Sequence, residues 1–230
     1  VYKAILFDID NTLLNYDLSE LASMKQALAV HNLHNDLIWE EFWDTFRPIN
    51  FRYWTDRNRN NHHIREVLEY SFTDTFTQMQ QDTSVSKLIT ETYWELFCSS
   101  CHLEPHAEDI LAYLHGKVKL GIITNGIGEA QRRRLQAGAI FDYFDALIIS
   151  DEVGSWKPEN RIFQEALDRL DVDASEALFV GDSIHDDFAG AVRMGMDFCL
   201  YNPRRLHYDQ HPKPAYTVYS LGDLKNMLGV

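Results

Sequence analysis

Cysteine is scarce in this chain, with three among 230 residues: Cys98, Cys101 and Cys199. That is too few for a disulfide framework of the kind that staples small secreted domains. Positive charge is also in short supply. Twenty-one lysines and arginines face 35 acidic residues, for a formal net charge of -14. The basic footprint of a nucleic-acid binder is therefore missing, and no polymer of that kind is expected as a partner. Long apolar runs are absent too: nothing approaches the roughly 18 consecutive apolar residues of a membrane span. The apolar start Ala4-Ile5-Leu6-Phe7 runs into Asp8 and Asp10, unlike a signal peptide with its small-residue cleavage site. The expected location is therefore a reducing cytoplasm. An acidic chain repels anionic substrates at long range, so a phosphate site here must be built from local cations and backbone dipoles.

The chain does hold short apolar runs: Ala4 to Phe7, Leu120 to Ile123, Ala146 to Ile149, Ala177 to Val180 and Phe198 to Tyr201. Each is near-continuous rather than alternating, the pattern of strands buried on both faces of a parallel sheet. Helical stretches lie between the later runs. Glu129 to Ala137 stops at Gly138, Glu159 to Leu170 follows Pro158, and Phe188 to Met194 stops at Gly195. Pro158 suits a first helical turn. The alternation of strand and helix predicts an α/β fold with a Rossmann-like, doubly wound parallel sheet.

The first run stands apart from the second by far more chain than one crossover needs. That segment carries periodic apolar and aromatic residues, among them Leu37, Ile38, Phe42, Trp43 and Phe46, then Leu88, Ile89, Tyr93, Leu96 and Phe97. It reads as an inserted all-helical domain over residues 17–101, within a core of residues 1–16 and 102–230. Trp39, Trp43 and Trp94 are expected in its core. Residues 202–214 hold three prolines and read as loop.

The residues just after each apolar run carry the chemistry. Asp8-Ile9-Asp10-Asn11-Thr12 comes after the first, Thr124-Asn125-Gly126 after the second, Ser150-Asp151-Glu152 and then Lys157-Pro158 after the third, Gly181-Asp182-Ser183 and Asp186-Asp187 after the fourth. Open α/β sheets bind ligands at the carboxyl ends of their strands, so these groups converge on one crevice. Asp8 and Asp10, two apart, leave the same face. One can attack phosphorus while the other handles protons, by the aspartyl-phosphate route. Carboxylates beside a phosphate need a cation, and Mg2+ prefers such hard oxygen ligands. Asp182 is a natural further ligand. Thr124, at a strand-to-helix junction, suits phosphate binding, and Lys157 supplies a point charge for the transition state.

Together these motifs resemble the haloacid dehalogenase superfamily, most of whose members are phosphatases. The resemblance runs through the whole chain in order, helical cap included. It implies that Asp8 is the nucleophile and a metal ligand, and that Asp10 is the acid and base whose backbone carbonyl touches Mg2+. It implies Thr124 and Asn125 on the phosphoryl oxygens, Lys157 between Asp8 and the phosphate, Asp182 on the metal, and Asp187 orienting a metal-bound water or Lys157. Dehalogenases of this superfamily lack an acid at the position of Asp10, so a phosphomonoester is the expected substrate.

Thr124-Asn125-Gly126, Gly181-Asp182-Ser183 and Tyr201-Asn202-Pro203 are similar to the bacterial pyrimidine 5'-nucleotidases. Asp10-Asn11-Thr12-Leu13 is also similar to the N-acylneuraminate 9-phosphatases, and phosphoglycolate phosphatases share the core. The expected activity is a 5'-nucleotidase on pyrimidine (deoxy)nucleoside monophosphates, with a sugar-type phosphatase as the alternative and a 2-haloacid dehalogenase behind both. The nucleotidase resemblance marks Asn50 and Trp54 for base contact. They lie in a basic, aromatic stretch with Arg47, Arg52, Arg57, Arg59 and Arg65, which can stack a base or steer a phosphate. Cys98-Ser99-Ser100-Cys101-His102 matches a haem-attachment spacing, yet with no export signal or axial partner it reads as a helix end rather than a haem, redox or zinc site.

Overall fold

The computed structural model describes residues 2–60, 62–208 and 213–229, apart from the side chains of Asn58 and Arg59. Arg59 in the basic stretch and residues 209–212 of the proline-bearing loop therefore lie outside the described residues. Helices and strands are numbered separately in chain order. The chain divides into two compact units, residues 1–17 with 101–230 and residues 18–100.

The first unit is built on six parallel strands: β1 (Ala4–Phe7), β2 (Lys119–Thr124), β3 (Ala146–Ile149), β4 (Ala177–Gly181), β5 (Asp197–Tyr201) and β6 (Tyr216–Val218). Their order across the sheet is β3-β2-β1-β4-β5-β6. This is the doubly wound order, which reverses direction between β1 and β4 and opens a crevice at their carboxyl ends. β1 is central, with Phe7 opposite both Ile122 and Val180.

Continuous apolar strands are needed because successive side chains point to opposite faces and both faces are covered. Ile5, Phe7, Leu120, Ile122, Leu178 and Val180 pack with Ile110, Leu111 and Leu114 of α5 (Ala107–Leu114). Ala4, Leu6, Ile123, Ile148, Phe179 and Leu200 pack on the other face with Ile162, Phe163, Ala166, Leu167 and Leu170 of α8 (Asn160–Leu170).

β6 lacks the apolar signature. It has three residues at the sheet edge, and only Val218 is buried, so no apolar run announces it. Pro158 does not open α8. The helix begins at Asn160 after the N-cap Glu159, and Pro158, joined to Lys157 by a cis peptide bond, lies in the preceding turn. There its carbonyl accepts from Arg193 Nη1 at 3.0 Å. The stretch Ile184–Phe188 is a π-helical turn, and only Ala189–Met194 (α9) is α-helical. Ser183 caps that turn, its hydroxyl accepting from Asp186 N at 3.0 Å.

The chain leaves the sheet through a tight turn at Asn11 (φ 60°). The Asn11 amide oxygen accepts from Tyr16 N at 3.0 Å and Asp17 N at 3.4 Å, and so caps the start of α1 (Tyr16–Val30). The returning chain pairs with the departing one: Asn15 N donates to His102 O at 2.7 Å and Glu104 N to Leu13 O at 2.9 Å.

The second unit is helical, with α2 (Trp39–Asn60), α3 (Ile64–Gln78) and α4 (Ser86–Ser99). Its core is a stack of aromatic rings: Phe42, Phe46, Phe72 and Phe76, then Tyr93 and Phe97. Of the tryptophans expected there, Trp94 is buried but Trp39 and Trp43 are only half-buried. Phe42 and Phe46, one helical turn apart, take the inward stripe of α2. Lys25 covers the Trp39 ring at 4.7 Å and Arg47 the Trp43 ring at 5.7 Å.

Gly190 in α9 lets that helix lie on Phe163: an added Cβ would come within 2.2 Å of the ring. Gly190→Ala is expected to destabilise the protein by about 1–3 kcal/mol through overpacking, read by urea unfolding. An unchanged midpoint would show that α9 can shift freely away from α8.

Candidate active site

The carboxyl ends of β1, β2 and β4 deliver the chemistry. Asp8 follows β1 directly and is tied to its neighbour strand by Asp8 N donating to Val180 O at 2.9 Å. Lys157 reaches it from the loop after β3. The ammonium donates to Asp8 Oδ1 at 2.6 Å and to the Ile123 carbonyl at 3.0 Å, and it forms an ion pair with Asp187 Oδ1 at 2.7 Å. Asp8, Lys157 and Asp187 are all buried. Asp187 is held through its second oxygen, Oδ2 accepting from Ser183 N at 3.1 Å. This fold-back explains Gly181, since a Cβ there would fall 2.3 Å from Asp187 Oδ2.

Asp182 completes the acidic group. Oxygens of Asp8, Asp182 and Asp187 lie within 4.8 Å of one another. One lysine does not balance them. Burial, then the charges of Asp187, Asp182 and Asp10, push the Asp8 carboxyl well above its ordinary range despite Lys157. Burial and Asp187 push Asp182 up to about 7. Burial draws the Lys157 ammonium down, but Asp187 and Asp8 outweigh it and the net shift is upward. Clustered hard oxygen donors with unbalanced negative charge fit a small divalent cation.

Thr124 and Asn125 stand at the end of β2 and serve different ends. The Asn125 side chain pairs with the Lys157 backbone, its Nδ2 donating to Lys157 O at 3.0 Å and its Oδ1 accepting from Lys157 N at 2.7 Å. It fixes the loop that presents the ammonium. Thr124 Oγ1 accepts from Gly126 N at 3.2 Å. The helix beyond, α6 (Gly128–Ala137), has its first N–H bonded to the Asp151 carboxylate at 3.0 Å. Asp151 belongs to the single turn α7 (Ser150–Val153), so α6 is capped from the end of another strand, β3.

Asp10 lies beside this group, and its charge is felt by both Asp8 and Asp182. Its partners were not foreseen from the sequence. Arg134 Nη1 lies 2.6 Å from Asp10 Oδ1, and Gln131 Nε2 donates to Asp10 Oδ2 at 2.8 Å and to Thr124 Oγ1 at 2.9 Å. Both come from α6, whose buried face carries Ala130, Gln131, Arg134 and Leu135. Placing three consecutive arginines on a helix sends Arg132 and Arg133 outward and Arg134 inward with Leu135, which calls for an acid inside. A second unforeseen pair is Glu104 with Tyr201, whose hydroxyl donates to Glu104 Oε2 at 2.7 Å. Burial and that carboxylate push the Tyr201 hydroxyl upward.

In the helical unit, Asn50 Nδ2 donates to Ser71 Oγ at 3.2 Å. The half-buried Trp54 ring is covered by the Arg57 guanidinium at 3.4 Å. The stretch is less basic than its composition suggests, because Arg52 pairs with Asp74 and Arg65 with Glu91. Cys98 is buried and Cys101 half-buried, and neither is in a disulfide. Among the described residues, the metal-capable grouping is that of Asp8, Asp182 and Asp187, with no cysteine or histidine. No described helix is long and apolar enough to cross a membrane.

Comparison with known proteins agrees with this geometry. The family model for haloacid dehalogenase-like hydrolases matches residues 2–195. The pyrimidine 5'-nucleotidase YjjG of Escherichia coli is 30% identical, with 97% of this chain and 96% of that protein aligned. The pyrimidine 5'-nucleotidase PynA of Streptococcus pneumoniae is 27% identical, over 99% of this chain and 95% of its own. The solved structure of YfnB from Bacillus subtilis, a magnesium-bound putative hydrolase, superposes with a TM-score of 0.83 at 24% identity, covering 100% of this chain and 99% of that one. The chain belongs to the haloacid dehalogenase-like hydrolases.

Proposed function

We propose that this hydrolase is a magnesium-dependent 5'-nucleotidase that removes phosphate from pyrimidine (deoxy)nucleoside monophosphates through an aspartyl-phosphate intermediate. It is a phosphoric monoester hydrolase. The observation behind the chemistry is the buried Asp8 held 2.6 Å from Lys157 Nζ beside Asp182 and Asp187. The observation behind the substrate is the likeness to two pyrimidine 5'-nucleotidases along nearly the full length of all three chains.

In the first step a carboxylate oxygen of Asp8 attacks phosphorus and the bond to the ester oxygen breaks. Asp10 gives a proton to that oxygen, and the nucleoside leaves as an alcohol. Lys157, the Thr124 hydroxyl and the Asn125 main-chain N–H hold the phosphoryl oxygens and offset their charge. In the second step Asp10 takes a proton from water, which attacks the same phosphorus, and the bond to Asp8 breaks to release phosphate. Asp187 holds Lys157 in place. Asp8, Asp182 and the Asp10 backbone carbonyl would hold Mg2+, which offsets charge on the phosphoryl group when bound. An acid at position 10 speaks for an ester substrate, because a halide leaves without a proton. Asn50 and Trp54 are the residues put forward for base contact.

Asp8→Asn should abolish turnover while circular dichroism and thermal melting report an intact fold, because one buried negative charge is removed from a crowded site. Near-normal activity in that variant would remove Asp8 as nucleophile. On a panel of phosphomonoesters with magnesium, pyrimidine mononucleotides should exceed N-acylneuraminate 9-phosphate, phosphoglycolate and hexose phosphates at least tenfold in kcat/KM, about 1.4 kcal/mol of transition-state preference. A sugar phosphate in the lead would keep the chemistry and overturn the substrate.

The raised Asp182 carboxyl makes a pH prediction. Its value moves from the ordinary range near about 4 up to about 7. Between those limits the folded, metal-free protein binds more protons than the unfolded chain, so this contribution to stability falls as pH rises. A divalent cation replaces that proton. Magnesium should therefore raise Tm clearly at pH 8 and little at pH 5, read by scanning calorimetry. Equal increments at both values would argue against Asp182 as a ligand.

A further inference from the structure

The site contains two polar side chains that the proposed mechanism does not use, Gln131 and the fully buried Arg134. They lie one turn apart on α6, and their hydrogen bonds run in a single direction. Arginine only donates, so the group it meets at 3.0 Å must be the Gln131 amide oxygen. That orients the amide without ambiguity and leaves Nε2 facing two acceptors. One Nε2 proton goes to Asp10 Oδ2 at 2.8 Å and the other to Thr124 Oγ1 at 2.9 Å. Arg134 Nη1 takes the remaining oxygen, Asp10 Oδ1, at 2.6 Å. Both carboxylate oxygens of Asp10 are thus gripped from α6. Each keeps a second lone pair for a proton.

The consequence for Thr124 is as direct. Its hydroxyl oxygen accepts from Gly126 N at 3.2 Å as well as from Gln131. Two acceptor positions filled by donors leave the hydroxyl proton as its one remaining hydrogen-bonding capacity. Thr124 is then a donor by construction, the role an anionic phosphoryl group requires. Gly126 is glycine for the same reason, as a Cβ there would lie 2.3 Å from Gln131 Nε2.

We infer that Gln131 and Arg134 are positioning residues that couple the acid–base group to the phosphate cradle: one amide aims Asp10 and sets the hydrogen-bond polarity of Thr124, and one guanidinium holds that amide in register. This rests on the acid–base role of Asp10 in the proposed function. Both contacts leave the one nitrogen Nη1, so lysine at position 134 would keep the charge and its donors but not the fixed plane of the guanidinium that aims them.

The test compares kcat/KM on an alkyl ester, dUMP, with kcat/KM on p-nitrophenyl phosphate. This parameter reports steps up to departure of the leaving group, and p-nitrophenolate needs little protonation. Arg134→Met and Gln131→Met should lose roughly thirtyfold or more on the alkyl ester, within the range of general acid catalysis, and no more than about threefold on the aryl ester. On the aryl ester both should show a burst of p-nitrophenolate as the phospho-enzyme waits for water. Arg134→Lys should recover part of the alkyl activity. Gln131→Met alone should weaken inhibition by inorganic phosphate about two- to threefold, the order expected when one neutral hydrogen bond at Thr124 is lost. Using both variants guards against a fold defect in Arg134→Met, which would lower both esters together.

Equal losses on the two esters in Gln131→Met, or an unchanged or raised alkyl activity, would overturn the inference. Unaltered inhibition by phosphate in Gln131→Met would overturn its Thr124 half. Asp10→Asn serves as the reference. If it shows no leaving-group asymmetry, the acid–base assignment itself fails. If it does and the α6 variants do not, only the coupling fails.

Discussion

Lys157 brings one ammonium to a place where the sheet buries several carboxylates. It donates to Asp8 and the Ile123 carbonyl and pairs by charge with Asp187. Removing Lys157 would leave Asp8 and Asp187 buried without their cation in a dry interior. Much of the surrounding structure serves this arrangement. The Asn125 amide fastens the Lys157 backbone. The π-helical turn after β4 folds Asp187 back over Gly181, in keeping with the tendency of such turns to mark functional sites.

The sheet topology explains why these groups meet at all. Strand order reverses between β1 and β4, with α5 before β2 on one face and α9 before β5 on the other, which leaves a crevice at the carboxyl ends of the two strands. Asp8 enters it from β1, Thr124 from β2 and Asp182 from β4. The acidic excess that results is unfavourable for folding and useful for function, because the same crowding that raises the Asp8 and Asp182 carboxyls favours a divalent cation. The overall charge of -14 adds nothing to phosphate recognition, which falls to local donors alone.

The sheet was legible because a strand covered on both faces must be apolar at every position, and Ala4 to Phe7 or Ala146 to Ile149 can hardly be read otherwise. β6 was not, since an edge strand of three residues with one buried side chain leaves no such trace. Pro158 misled for a related reason. A proline before a helical pattern fits a first turn as well as a preceding loop, and only the path of the chain through Lys157 into the site chooses the loop. In the helical unit, tryptophans were expected inside by size, whereas the helical stripe assigns that place to Phe42, Phe46, Phe72 and Phe76.

The residue types at the end of each strand were readable by themselves: acids after β1 and β4, a hydroxyl after β2, a lysine after β3. Strand ends are where local pattern and chemistry coincide, so Asp8, Asp10, Thr124, Lys157 and Asp182 stand out in one dimension. What the tertiary structure decided is how each group is held. Asn125 turns to the Lys157 backbone, Asp151 caps a helix that begins after another strand, and Arg134 and Gln131 meet Asp10 from more than a hundred positions away. Contacts between elements remote in the chain leave no periodicity and no spacing in the sequence, because they depend on which helix faces a strand end lie opposite each other once the sheet has closed.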